Sequence, residues 1–124
     1  MALHFLEFDY SEDNEGTCTW DALASATAER LPELLREITA LLAWACAEFG
    51  EQRGSLDDGG LWDYDLQCER GDHALQPLAY DPGAHLLRAL PPVQAGERVT
   101  LSLSISGTPA FAAPFAERFG LPSP

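Results

Sequence analysis

Lysine is absent from this 124-residue chain. All seven basic residues are Arg, set against 20 Asp and Glu, for a formal net charge of −13. Phosphate backbones need Lys and Arg to displace their counterions, so nucleic acid is disfavoured as a partner. An anionic membrane surface is disfavoured for the same reason. Basic proteins and cations stay open as partners, and so does charge serving solubility alone. Cysteine is scarce and odd in number: Cys18, Cys46 and Cys68, with no Cys-x-x-Cys spacing. A disulfide framework is not expected, and reduced thiols in a cytoplasmic setting are.

Long apolar runs are missing too. The richest stretch, around "ALLAWACA", is too short to span a bilayer. "MALHFLEFDY" has neither the basic n-region nor the long h-region of a signal peptide. His4, His73 and His85 show no zinc spacing, and no Walker, Rossmann or Gly-x-Ser-x-Gly pattern occurs. The acid-rich "DYSEDNEG" and "SLDDGGLWDYD" do not fit a calcium loop. No cofactor is therefore expected, no metal is expected to be needed for folding, and no motif assigns a reaction. Arg without Lys, alongside abundant Ala, Gly and Pro, suits a GC-rich bacterial genome.

What is present is a good core supply. Hydrophobic residues are 46% of the chain, enough for one packed α+β domain over residues 1–124. Residues 3–10 and 17–24 alternate as strands around the turn "SEDNEG", giving a hairpin. From residue 31 the period lengthens. Leu31, Leu34, Leu35, Ile38, Leu41, Leu42, Ala45 and Phe49 mark an amphipathic helix over about 31–49, with Pro32 in its first turn and Gly50 as its C′ glycine. A loop over 50–60 precedes a strand at 61–69. A weaker strand at 73–80 is pushed to an edge by Pro77, and 86–90 reads as a short strand. "RVTLSLSIS" (98–106) alternates most clearly. Thr108, Pro109 and Gly120 bracket a short C-terminal helix with a Phe111, Phe115, Phe119 stripe, which Pro114 is expected to break or restart. The order implies a two-layer α+β sandwich: a mainly antiparallel sheet of about four to six strands, with both helices on one face.

Alternation then sorts the side chains. Trp20, Trp62, Tyr64, Leu66 and Leu103 should point at the long helix, with His4 at the core margin and the three cysteines as buried, inert thiols. Glu7, Asp9, Asp21, Asp63 and Asp65 should point the other way, with Thr100, Ser102 and Ser104, forming an acidic face free of Arg. Same-face neighbours on a strand lie roughly 7 Å apart. Such a face is open to three readings: a solvated surface, a docking surface for a basic protein, or a cation or catalytic site. By size and charge the analogy is to small acidic bacterial proteins that neutralise a basic partner, such as immunity proteins or nucleic-acid mimics. The leading expectation is thus a non-enzymatic protein-binding module. The alternatives are a small enzyme or ligand binder using acidic residues, with or without a divalent cation, and a structural homodimer joined through the outer sheet face or the Phe stripe.

Overall fold

The computed structural model describes residues 3–88 and 90–123. Strands β1 (Asp9–Glu12) and β2 (Cys18–Thr27) form a hairpin and lead into helix α1 (Leu31–Phe49). Strands β3 (Trp62–Glu69) and β4 (Gln76–Pro77), the small hairpin β5 (Ala79–Asp81) and β6 (Leu86–Arg88), then β7 (Arg98–Gly107) and helix α2 (Pro109–Phe119) follow. The main sheet is antiparallel throughout, in the order β1-β2-β7-β3-β4. β7 therefore sits between β2 and β3, the two strands that α1 connects. The two-layer α+β architecture is the expected one.

Period-2 alternation produces a clean division. On β2, Cys18, Trp20, Ala22, Ala24 and Ala26 are buried; on β7, Val99, Leu101, Leu103 and Ile105 are. They share one contiguous cluster with Leu34, Ile38, Leu41, Leu42 and Ala45 of α1 and with Trp62 and Leu66 of β3. Both buried Trp side chains keep a hydrogen bond: Trp20 Nε1 donates to Pro122 O at 2.9 Å, and Trp62 Nε1 to Phe49 O at 2.8 Å. Tyr64 turns only partly inward. Its hydroxyl accepts the backbone N–H of Tyr80 at 2.8 Å.

Several expectations are corrected. Residues 3–8 are not a strand. Their backbone donors go to the carboxylate of Glu37, which is only 4% exposed: His4 N–H to Oε2 at 2.8 Å, Phe5 N–H to Oε1 at 3.0 Å and Leu6 N–H to Oε1 at 3.1 Å. The segment thus spends its donors on one side chain instead of a ladder, and the His4 side chain lies exposed. Gly50 stays right-handed (φ −57°, ψ −44°), so α1 runs on into a 3-10 turn over Gly50–Gln52 instead of stopping at a left-handed cap.

The strand expected at 73–80 is divided at Leu78. Pro77 has no N–H for a ladder, and beyond it the Tyr64 hydroxyl takes the place of a backbone acceptor, so β5 leaves β3 and pairs with β6. The strand expected at 86–90 spans only Leu86–Arg88; Ala89 lies outside the described residues. Pro114 neither breaks nor restarts α2, which is continuous over Pro109–Phe119. The missing N–H is outweighed by burial of Phe111, Phe115 and Phe119 around it. That burial also removes the Phe stripe as an exposed interface. Gly120 closes the helix in the left-handed region (φ 65°).

The β5–β6 hairpin carries a pH dependence of its own. Arg88 Nε donates to Asp81 Oδ2 at 2.7 Å, and this bond, with the Ala84 and Gly83 N–H groups, holds the Asp81 carboxyl below its ordinary range. A lowered folded pKa stabilises above the unfolded value and loses that contribution as pH falls through the folded one. The Ala79–Arg88 amides should keep their native NMR shifts at pH 5 and lose them selectively below about pH 4. Loss at the same pH as the β2 and β7 amides would contradict a local origin.

Candidate functional site

The residues left on the outer face are fixed by register. Asp9 lies opposite Asp21, Asp21 opposite Ser104, and Ser104 opposite Asp65. Four strands therefore place three carboxylates and one hydroxyl on a single rung. Neighbouring strands are about 4.8 Å apart, which puts the Asp21 and Asp65 backbones roughly 10 Å apart across Ser104. The rung borders a shallow depression of about 280 Å³, floored by Ser102 and Ser104 and flanked by Leu23.

None of the three carboxylates has a basic partner among the described residues. Asp65 accepts only the Gln67 side-chain amide, at 3.0 Å. Directly opposed like charges destabilise a sheet, so Asp9 facing Asp21 costs stability that a cationic partner would relieve. The next rung differs. It runs Ser11, Thr19, Ser106, Asp63, and there Arg53 Nε reaches Asp63 Oδ1 at 3.0 Å. The Arg53 guanidinium also lies 4.4 Å from the Tyr64 ring centroid. The bridge pairing Arg53 with Trp62 brings it there. The expected absence of Arg from this face is thus corrected, and Asp63 is neutralised.

Of the five expected acidic residues, the sheet brings Asp9, Asp21 and Asp65 together, places Asp63 one rung away on Arg53, and leaves Glu7 outside. Glu7 is exposed but precedes β1, for the reason given above: its segment is tied to Glu37. Leu23, by contrast, was not singled out from the sequence. It has the outward parity and is 71% exposed beside the acidic rung. Its signal was visible as the single large apolar side chain at an outward position of 17–24.

Nucleophile and metal chemistry find little support in the geometry. Cys18 and Cys68 are buried, Cys46 is half-buried, and desolvation raises the thiol pKa of Cys46 and Cys68. Among the described residues, no group of three or more His, Cys, Asp or Glu side chains is placed to hold a metal ion. No described helix is long and apolar enough to cross a membrane. Comparison of the chain with protein-family models, with curated proteins and with solved structures finds no match.

Proposed function

We propose that this chain is a non-enzymatic, cytoplasmic protein-binding module whose outer sheet face docks a basic protein. One observation carries the reading: Asp9, Asp21 and Asp65 share a rung with no basic partner among the described residues, beside the solvent-exposed Leu23. A flat surface with a carboxylate row and one apolar anchor suits a partner presenting Arg or Lys around a small apolar patch. The charges would act on encounter and register, and Leu23 on the desolvated centre.

The test is capture from a host lysate at low and high salt, followed by stopped-flow measurement on each captured protein. The Asp21→Thr, Asp65→Thr double variant should fold with an unchanged or slightly raised melting temperature, since it relieves like-charge repulsion. It should associate about tenfold more slowly, with most of the loss in the on-rate. Exposed charges are screened within roughly 8 Å at physiological salt, so the wild-type on-rate should fall steeply as salt is added. Captured proteins that bind the double variant as fast as the wild type, or ignore salt, would refute the reading.

A further inference from the structure

On the other layer, away from the acidic rung, α1 and the β5–β6 hairpin flank an open apolar groove of about 640 Å³. That volume falls within the range of small-molecule sites, roughly 300–1,000 Å³. The groove is built by helical spacing. Pro32, Leu35, Arg36, Thr39, Ala40 and Ala43 recur at three- and four-residue intervals, so they form one stripe about 16 Å long on α1. Small side chains at Thr39, Ala40 and Ala43 keep its floor low. The far wall is Leu86, Leu87 and Leu90, with Leu86 still 49% exposed.

Charge singles this groove out. The chain carries 20 carboxylate side chains, yet none lines it, while Arg36 and His85 do. Arg30, Arg53, Arg70 and Arg88 are each paired with a carboxylate. Arg36 has no ion pair or hydrogen bond among the described residues. The carboxylate next to it in sequence, Glu37, is buried and occupied by the N-terminal segment. His85 stands on the rim in the left-handed region (φ 55°), its Nδ1 3.4 Å from the Tyr80 hydroxyl. An apolar trough with a free guanidinium and no competing acid complements an amphiphile with one anionic head.

We propose that this groove binds a free medium-chain carboxylate, with its chain along Leu35, Ala40, Ala43, Leu86, Leu87 and Leu90 and its head on Arg36. A bilayer is a poor source of that ligand, because a chain of net charge −13 is repelled by an anionic surface. The inference is independent of the acidic face, which lies on the opposite side of the sheet.

Isothermal titration of the full chain with sodium decanoate, 1-decanol and decylamine, all below micellar concentrations, tests it. Decanoate should bind saturably at one site, more tightly than decanol, and decylamine most weakly. Arg36→Gln keeps most of the aliphatic stem and removes the charge. It should weaken decanoate about tenfold, to the level of decanol, and leave decanol unchanged. Leu86→Glu, at the exposed rim, should abolish decanoate binding while leaving the thermal melt near that of the wild type. Lack of saturable decanoate binding, equal affinity for decanoate and decanol, or indifference to both substitutions would each overturn the proposal. So would sedimentation showing a dimer that Leu86→Glu dissociates and decanoate does not, because the groove would then belong to a second copy of the chain.

Discussion

Replacing Glu37 with Ala should lower the melting temperature by roughly 10 °C, the shift expected for a loss of about 3 kcal/mol in a chain of this size. The size of the effect follows from what is left behind. Three successive backbone N–H groups, of His4, Phe5 and Leu6, converge on one carboxylate that is itself almost fully buried. Charge-assisted bonds of this kind are among the stronger ones, and buried donors stripped of their acceptor are costly. Glu37→Gln should rescue little. Its amide has one acceptor oxygen, and its NH₂ would face N–H donors that cannot accept from it. Hydrogen exchange at residues 4–6 should accelerate in both variants well before that of β2 or β7. The Arg30 guanidinium over the Phe5 ring, at 5.0 Å, and the buried Leu6 would remain to hold the segment. A loss below about 1 kcal/mol, or unchanged exchange at these amides, would show that the clamp is incidental.

Glu37 also marks where reading the sequence stops short. Its neighbours Leu34, Ile38, Leu41 and Leu42 predict the helix correctly because their pattern is local and long. The carboxylate's partners are 31 to 33 residues away, and nothing in "LHFLEF" distinguishes a strand from an extended segment held by a side chain. The same split runs through the acidic face. Parity alone put Asp21, Asp63 and Asp65 outside, because alternation on β2, β3 and β7 is strict and each strand has a strong apolar face. Which of them share a rung depends on strand order and register, and the insertion of β7 between β2 and β3 is a long-range outcome. Asp63 shows the consequence. Its spacing matches that of Asp65, yet the loop after α1 delivers Arg53 to one and not to the other. Glu7 was lost with the strand it depended on. The division of 73–80 required knowing that the Tyr64 hydroxyl would replace a ladder acceptor, which the composition of "HALQPLAY" does not contain.

Replacing Phe111 with Ala should be the most damaging single change in the core, costing about 4 kcal/mol. The ring is fully buried where the two helices meet the sheet. It stacks on Trp62 at 5.4 Å and 4°, packs against Phe115 at 5.1 Å and Phe49 at 5.3 Å, and meets Trp20 and Trp44 edge-on. Truncation therefore removes several aromatic contacts and leaves a cavity walled by rings too rigid to collapse into it. The place for this ring is cleared by Gly107, at the end of β7, where a Cβ would collide with the Phe111 side chain. Gly107→Ala should thus cost 1–3 kcal/mol by overpacking, although the position needs no positive φ. Combining it with Phe111→Leu distinguishes a steric cause from a backbone one. If the ring is the obstacle, Gly107→Ala should be clearly less destabilising in the Phe111→Leu background than in the wild type, a coupling expected of residues in contact. Equal costs in both backgrounds, measured by denaturant unfolding, would mean that Gly107 serves the β7–α2 turn itself and not the ring that packs over it.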